Sequence, residues 1–468
     1  MSNIELLPHQ ITGRDFLLEK QRAMLCDSVG LGKTVQAIAA LEKEGYTALI
    51  FAPRPLLRQW SKEIRKFSVF IPAIVTGSRK QREQLYHSGK PIFLINYDKA
   101  PIDIELLTHE LRGRIDCIIL DEAQRIKNYK ASRSKAIKQL ANDLNIENRW
   151  ILTATPMENR IDELYSLLDF LNYGVLEDLT KLATPIRGGS YRGYTYERAG
   201  LAGPPKRKDF MNALNGISKE RLQTLLNDVM LRRSQIDGMP PTVKDYYLEM
   251  SQHQKKLHNQ FLNDFQVTVE DREFDVTNAL AKMTRLRQIA NTPALIVPFD
   301  EITPKVQEII AIAQDMISFD EKVIFFSEFR EMTNYIRDQL LKIAISPAYI
   351  HGGPECNTED EIEKFRADHH IMLATKSGEE GLNLQFAHNI VNIDLPYNPA
   401  RVTQRIGRCH RIGQTQQVRV INLITEGSIE ENIKAMLYDK QCLFDDIING
   451  HNKDVVLDRE TIRRLAYS

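Results

Sequence analysis

Short apolar runs alternate with amphipathic segments through the first 170 residues of the chain. Four runs are continuously apolar and rich in β-branched or aromatic residues, at 47–52, 92–96, 116–121 and 150–153. Continuous apolarity is typical of strands that are buried on both faces of a parallel sheet. Because helical patterns separate these strands, the sequence predicts βαβ units in a doubly wound α/β sheet.

A second series of the same kind follows near the C-terminus. Its strands are predicted at 322–327, 371–375, 389–394 and 418–424, with a helix over 329–342. The sequence therefore predicts two α/β lobes with doubly wound parallel sheets.

The chain between the two series has a mostly helical pattern. A Gly- and Tyr-rich stretch at 187–205 predicts a surface loop, and the Pro-rich turn at 238–242 predicts a hinge. The acidic stretch 264–275 is expected to form a solvated helix face. These features predict a first lobe over 1–172, a helical insertion and linker over 173–300, and a second lobe over 301–468.

Composition restricts the setting of the protein. Lys plus Arg equals Asp plus Glu at 62 each among 468 residues, so any nucleic-acid contact has to come from a local basic patch. The five cysteines are far apart and form no CxxC pair, which favours reduced thiols and no structural zinc. The N-terminus lacks a signal-peptide pattern, and no apolar run approaches 18 residues. We therefore expect a cytoplasmic protein that does not contact a membrane.

A Gly-rich segment early in the chain is a candidate phosphate loop. It reads Asp27, Ser28, Val29, Gly30, Leu31, Gly32, Lys33 and Thr34. Backbone N–H groups of such a loop approach phosphates at a helix N-terminus, where Lys33 would reach the β- and γ-phosphates and Thr34 would ligate Mg²⁺. The strict phosphate-loop pattern has Gly where this chain has Asp27, so a plain Gly-containing loop before a helix is the alternative.

Three further candidates follow predicted strands or precede the loop. Asp121 and Glu122 end a buried strand, where one carboxylate can hold Mg²⁺ and the other can deprotonate the attacking water. Thr153 and Thr155 follow the next strand and can sense the γ-phosphate through the acidic pair. Gln10 precedes the loop, and its amide can pair with an adenine edge. Each alone has an ordinary structural alternative: a strand end, a turn or a surface glutamine.

Residues 404–414 carry Arg405, Arg408 and Arg411 at every third position. On a helix this spacing places the three guanidiniums in one arc of about 120°. The segment contains no Asp or Glu, so an anionic partner has to come from elsewhere, and the planar fork of Arg fits a triphosphate. The alternative is a solvated basic helix face.

The order of the motifs resembles that of the Swi/Snf-type ATPases of helicase superfamily two. The resemblance runs from LLPHQ at 6–10 to SIEENI at 428–433, and the arginine segment and DEAQRIKN at 121–128 carry it most specifically. Five further segments follow the family's order: DSVGLGKT, LTATPMEN, LRRSQIDGMPPT, LRQIANTPAL and GLNL. The resemblance implies two RecA-like lobes with ATP in the cleft between them.

The resemblance also implies roles for individual residues. Gln10 would contact adenine, the loop residues 27–34 would hold the phosphates, and Asp121 and Glu122 would be metal ligand and catalytic base. Arg408 and Arg411 would be arginine fingers supplied by the second lobe and placed with the help of Gln404, whereas Arg405 would support the helix or the lobe interface. ATP and Mg²⁺ are the implied cofactors.

Three positions depart from the family pattern. Ser28 stands where many relatives have Glu, Gln124 replaces the more frequent His, and Glu379 with Glu380 stands where relatives have Gly and a variable residue. None of these changes removes a catalytic group. The stretch 378–399 is more similar to the bacterial branch that recycles RNA polymerase than to the eukaryotic remodellers.

The implied partner is double-stranded DNA, which a monomer would contact along its backbone without reading sequence. Three basic clusters are candidates for this contact, each with a solvated surface as the alternative. The first comprises Arg54, Arg58, Lys62, Arg65 and Lys66; the second Arg125, Lys127, Lys130 and Arg133; the third Arg187, Arg192, Arg198, Lys206, Arg207 and Lys208. The second, directly after the acidic pair, is the best placed in the sequence.

The sequence therefore predicts an ATP-driven translocase on duplex DNA that remodels or displaces what is bound there. Three rivals are a strand-separating or fork-remodelling helicase, an ATPase accessory factor of a larger machine such as RNA polymerase, and a scaffold without activity. The presence of Lys33, Asp121, Glu122 and the two arginines disfavours the scaffold.

Overall fold

A computed structural model describes most of the chain. The described residues are 5–157, 161–171, 224, 226–233, 239–263, 266–269, 272–275, 279–353, 355–378 and 382–448. The predicted loop at 187–205, the third basic cluster and the Glu379–Glu380 pair lie outside them. The chain divides into two compact units, Met1–Gln235 with Cys442–Ser468 and Ile236–Gln441.

Seven parallel strands among the described residues of the first unit form one sheet, in the order β3-β4-β2-β5-β6-β1-β7. They are β1 (Arg22–Leu25), β2 (Ala48–Ala52), β3 (Pro72–Ile74), β4 (Ile92–Asn96), β5 (Cys117–Asp121), β6 (Asn148–Leu152) and β7 (Met230–Leu231). The register aligns Ala48 with Cys117 and Asp121 with Leu152. The carboxyl ends of β5, β6 and β1 therefore lie side by side at one edge of the sheet.

Helices cover both faces of this sheet. They are α1 (Pro8–Lys20), α2 (Lys33–Glu44), α3 (Leu56–Phe67), α4 (Arg79–Tyr86), α5 (Ala100–Leu111), α6 (Ser132–Asp143) and α7 (Ile161–Leu171). Successive strand residues enter opposite cores, since Ile118 and Leu120 of β5 belong to one buried cluster and Ile119 to the other. This two-sided burial is the physical reason for the continuously apolar strand sequences.

The second unit contains a six-stranded parallel sheet among its described residues, in the order β12-β13-β11-β14-β15-β8. Its strands are β8 (Thr242–Leu248), β11 (Val323–Phe326), β12 (Ala348–Ile350), β13 (Ile371–Ala374), β14 (Asn389–Asn392) and β15 (Arg419–Thr425). Two buried apolar clusters again lie on the two faces, with Phe325 in one and Phe326 in the other. Each unit thus has the doubly wound α/β architecture that the sequence predicts.

The remaining helices are α8 (Gln252–Asn263), α9 (Ala279–Asn291), α10 (Pro304–Ser318), α11 (Arg330–Lys342), α12 (Thr358–Ala367), α13 (Pro399–Cys409) and α14 (Ile429–Ile448). Helix α13 begins where Pro399 occupies its first turn and the Asn398 side chain accepts a hydrogen bond from the Ala400 N–H at 3.0 Å. Within the described residues, no helix is both long and apolar enough to cross a membrane.

The eight strands predicted from apolar runs are confirmed to within three residues at each end. One expectation for the segment between the two series is wrong. Residues 264–275 contain the antiparallel pair β9 (Gln266–Val269) and β10 (Arg272–Asp275) instead of a helix face, because β-branched Val and Thr favour extended backbone. Residues 242–248 form β8, which pairs with β15 along seven residues. The boundaries at 172 and 300 stay predictions.

Candidate active site

The phosphate loop leaves the end of β1 and leads into α2. Gly30 and Gly32 have φ of 95° and 74°, which glycine adopts without strain. A Cβ on Gly32 would lie 2.6 Å from Nε2 of Gln10, so a larger residue there would displace the Gln10 amide. Ser28 and Val29 are half-buried and Leu31 is buried. The loop therefore ends at the free N–H groups of a helix N-terminus, where anions bind.

Lys33 and Thr34 lie in the first turn of α2. The Nζ atom of Lys33 donates to the carbonyl oxygens of Asp27 at 2.7 Å and Ser28 at 3.3 Å. Burial lowers the pKa of Lys33, and the nearby charges of Glu122, Asp27 and Asp121 oppose that shift. The ammonium group thus lies in the field of the acidic pair, which is where a phosphate-binding lysine is needed.

Gln10 is buried beside the loop, near the N-terminus of α1. Its Oε1 accepts a hydrogen bond from the Leu7 N–H at 3.1 Å, and the neighbouring His9 ring contacts the Leu31 carbonyl at 3.2 Å. The start of α1 is therefore attached to the phosphate loop, although the two are separated by about 20 residues in sequence.

Asp121 is the last residue of β5. Its Oδ2 accepts a hydrogen bond from the indole N–H of Trp60 at 2.7 Å, and its Oδ1 accepts one from the Glu122 N–H at 3.1 Å. Burial and the neighbouring Glu122 raise the pKa of Asp121 to about 7, against the Trp60 hydrogen bond and the charge of Lys33. A buried carboxylate beside a second one suits a divalent cation, because oxygen ligands and negative charge are what Mg²⁺ binds.

Glu122 connects to the next strand through Gln124. Gln124 Nε2 donates to Glu122 Oε2 at 2.8 Å, and Thr153 Oγ1 donates to Gln124 Oε1 at 3.0 Å. The Thr155 N–H in turn donates to Thr153 Oγ1 at 3.1 Å. Glu122 has a left-handed backbone with φ of 50°, which is uncommon for Glu and is concentrated at functional sites. The side-chain amide of Gln124 thus connects the acidic pair to the two threonines.

The arginine segment lies in the second unit and differs from the predicted helix in one respect. Helix α13 ends at Cys409, so Arg411 lies beyond it. Arg408 Nη1 and Arg411 Nη2 nevertheless donate to the same carbonyl, that of Leu382, at 3.4 and 2.8 Å. Arg408 Nε also donates to the carbonyl of buried Gln404 at 3.1 Å. Arg408 and Arg411 therefore converge although they do not share a helix.

Arg405 has its anionic partner within the same unit. It is fully buried and donates to Glu328 Oε1 at 2.6 Å, to Asn392 Oδ1 at 2.8 Å and to the Asp394 carbonyl at 3.0 Å. The anionic partner of Arg405 comes from outside the segment, as expected, and it is the Glu328 carboxylate, 77 positions earlier in sequence but adjacent in the fold.

Two contributors to the site have no local signal in sequence. Trp60 is 61 positions from Asp121 and resembles any core tryptophan on an amphipathic helix. Arg233 binds both carboxylate oxygens of Asp27, although the two residues are 206 positions apart in sequence. Asp27, expected as a phosphate-loop contact, is fully buried with its side chain on Arg233 and Gln36. Because the motif 231–242 contains Arg233, its place in the family's order was the only available signal.

The first basic cluster lies on an exposed surface, whereas part of the second is paired. Arg54 and the four basic residues on α3 are all exposed. In the second cluster, Lys127 pairs with Glu163 at 3.3 Å and Arg133 pairs with Asp98 at 3.2 Å. The cluster that the sequence favoured is thus partly neutralised by carboxylates of its own unit.

Comparisons with known proteins agree with these motifs. Residues 9–295 match the SNF2-related domain, and residues 304–413 match the helicase conserved C-terminal domain. The ATP-dependent helicase YqhH of Bacillus subtilis is 30% identical over 490 residues, which cover 96% of this chain and 80% of the relative.

Two other similar proteins are more distant. The TATA-binding protein-associated factor MOT1 of Saccharomyces cerevisiae is 27% identical over 92% of this chain, but the chain spans only 26% of its length. A solved Sulfolobus solfataricus SWI2/SNF2 ATPase core in complex with dsDNA is 26% identical, with 99% of this chain and 97% of that chain covered and a TM-score of 0.43.

The first family model alone matches more than half of the residues, and residues 27–34 lie at the same sheet edge as Asp121 and Glu122. The chain belongs to the SNF2-related family with a helicase C-terminal domain, and it is an ATP hydrolase of the helicase type.

Proposed function

We propose that the protein is an ATP-driven translocase on double-stranded DNA that remodels or displaces DNA-bound complexes. The observation that supports the proposal is the chain of hydrogen bonds from Glu122 through Gln124 to Thr153, which joins the ends of two neighbouring strands. The relatives support the DNA part by their names, which include an ATP-dependent helicase and a factor associated with a DNA-binding protein.

In this proposal the first unit binds the nucleotide. Gln10 contacts adenine, residues 27–34 surround the phosphates, and Lys33 neutralises the β- and γ-phosphates. Thr34 and Asp121 hold Mg²⁺, which would lower the negative charge of the phosphates when bound. Glu122 orients and deprotonates the attacking water, and its bond to Gln124 fixes its carboxylate.

The second unit supplies the remaining charge. Arg408 and Arg411 act as arginine fingers on the developing charge of the γ-phosphate, with Gln404 placing Arg408 through its carbonyl. Hydrolysis would then require the two units to close, which couples the ATP cycle to motion.

The exposed basic face around α3 is the proposed DNA contact. Five like charges on one surface attract a phosphate backbone without reading bases. The buried face of the same helix carries Trp60, which is bonded to Asp121. Helix α3 therefore connects the proposed DNA surface to the proposed metal ligand through a single rigid element.

ATPase rates with duplex DNA, single-stranded DNA, RNA and no polymer, measured side by side, test the proposal. Duplex DNA is expected to stimulate the rate most, because the motor tracks duplex. Lys33→Ala and Glu122→Gln are expected to abolish turnover, and Arg408→Ala to lower it by about 10³-fold or more. Equal rates with and without DNA would reject the DNA assignment, and normal turnover of Glu122→Gln would reject the site.

A forked duplex separates this proposal from its rival. Displacement of a bound protein without separation of the DNA strands is the expected result. Release of single strands at the same ATP consumption would show a strand-separating helicase instead.

A further inference from the structure

Arg233 makes the largest set of side-chain bonds around the phosphate loop. Its Nε donates to Asp27 Oδ1 at 2.9 Å, and its Nη2 donates both to Asp27 Oδ2 and to Gln36 Oε1, the latter at 2.8 Å. Its Nη1 donates to the carbonyl of His9, the residue before Gln10. One guanidinium thus binds the loop, helix α2 and the start of α1.

Arg233 binds the buried Asp27 carboxylate in a two-point ion pair. The carboxylate has no solvent exposure, and its other side-chain partner is the neutral amide of Gln36 at 3.1 Å. A buried carboxylate whose cationic partner is removed is strongly destabilised. The residue that departs from the strict phosphate-loop pattern is therefore the attachment point of Arg233.

Gly13 provides independent evidence that this contact is built into the chain. Glycine in a helix interior is unfavourable, yet Gly13 lies inside α1. A Cβ there would lie 1.7 Å from Gln36 Oε1 and 2.9 Å from Arg233 Nη2. The glycine therefore leaves the space in which Arg233 and Gln36 meet.

The backbone around Arg233 follows the loop as well. Strand β7 pairs with β1, and the ladder continues as the Cys26 N–H donates to Leu231 O at 2.7 Å and the Ser28 N–H to Arg233 O at 2.9 Å. Two residues after Arg233, at Gln235, the first unit ends and the chain enters the second. The segment that leaves the first unit is therefore bonded to the phosphate loop by backbone and side chain.

We infer that Arg233 is a positioning residue that fixes the phosphate loop and the Gln10 region to the segment leaving the first unit, so that nucleotide binding orders this segment. The inference rests on the proposed nucleotide site but not on DNA. Because coupling between two events is reciprocal, a loosened segment lowers nucleotide affinity by the same factor by which nucleotide orders the segment.

Equilibrium binding of ADP, without DNA, tests whether Arg233 supports nucleotide binding. Arg233→Gln is expected to raise the Kd about tenfold or more. Lys20→Gln is the matched control, because Lys20 Nζ bonds Asp228 Oδ1 at 2.7 Å and so joins α1 to the same segment on an exposed surface away from the loop. An unchanged Kd is expected for Lys20→Gln, and a Kd within twofold of wild type in Arg233→Gln would overturn the inference.

The double variant Asp27→Asn/Arg233→Gln separates positioning from folding. It leaves no unpaired buried charge, so its melting temperature should exceed that of Arg233→Gln alone. Its Kd for ADP should stay high, because the bond to His9 is still missing. Restoration of the wild-type Kd together with stability would show that Arg233 is only structural.

Amide hydrogen exchange over residues 226–233 tests whether nucleotide binding orders this segment. ADP is expected to slow exchange there in the wild type and in Lys20→Gln, but not in the double variant at saturating ADP. Equal protection in all three would overturn the coupling. A wild type that fails to bind ADP would reject the proposed nucleotide site itself, so the two failures are distinguishable.

Discussion

Trp60 shows how one residue supports a charged group from a distance in sequence. Its indole N–H donates to the Asp121 carboxylate at 2.7 Å, and both residues are buried. A hydrogen bond to a charged group contributes about 1.5–3 kcal/mol, more than one between neutral groups. It favours the ionised carboxylate against burial and Glu122, which raise the pKa of Asp121.

Replacing this tryptophan should therefore weaken the metal site. Trp60→Phe keeps an aromatic ring but removes the N–H, and we expect the Mg²⁺ concentration that half-saturates ATPase activity to rise about tenfold. A Mg²⁺ titration at saturating ATP measures this change. Trp150→Phe is the control, because buried Trp150 has no hydrogen-bond partner for its indole N–H among the described residues. Equal shifts in both variants would contradict the role of the hydrogen bond.

Helix α13 is the element that presents Arg408, and one carboxylate fixes it. The Glu328 carboxylate binds Arg405 and Arg401, which lie one turn apart on α13. Strand β11 ends two residues before Glu328 and so sets the position of this carboxylate. Asp394, below the same helix, accepts hydrogen bonds from the Ser327 hydroxyl and from the Glu328 N–H at 2.8 Å. Within the arginine segment, Arg405 therefore anchors the helix, whereas Arg408 in its last turn and Arg411 beyond it converge on the Leu382 carbonyl.

We expect Glu328→Gln to cost about 3 kcal/mol of stability in the second unit, because fully buried Arg405 would lose the ion pair that it makes with Glu328 at 2.6 Å. The melting transition of that unit, followed by calorimetry, should shift down by several degrees, and ATPase activity should fall with it. Glu355→Gln removes an exposed ion pair with Arg330 nearby and should change neither quantity measurably. A stable Glu328→Gln variant would show that other groups hold α13.

At the scale of the whole molecule, zero net charge hides a local basic surface. Lys plus Arg equals Asp plus Glu overall, so the sequence as a whole gives no sign of a nucleic-acid partner. The two clusters differ in exposure, since all five members of the first are exposed whereas Arg125, Lys127 and Arg133 of the second are half-buried.

Salt dependence of duplex binding tests this surface. Arg58→Gln/Lys62→Gln should weaken binding and lower the slope of log K against log salt by about two, since each phosphate contact releases close to one counterion. Arg79→Gln/Lys80→Gln on α4 is the control, because it also removes two exposed positive charges but lies outside the proposed contact. Equal slopes for the two double variants would show that α3 does not contact DNA.

The sequence by itself determined the two doubly wound α/β architectures and the family. Residues 117–120 of β5 are all apolar because both faces of the strand are buried, and this pattern is visible without any partner. The phosphate loop, Asp121, Glu122 and the arginine segment are also local, because each consists of neighbouring residues whose spacing carries the chemistry.

Only the tertiary structure decided which groups complete these motifs. Trp60 reaches Asp121, Arg233 reaches Asp27 and Glu328 reaches Arg405 across 61, 206 and 77 positions. The hairpin at 266–275 and the strand at 242–248 likewise depend on pairing with other strands. A buried charge needs a partner, but the sequence around the charged residue does not show which residue that is. The partner is decided by the folded sheet, because it brings remote strand ends to one edge.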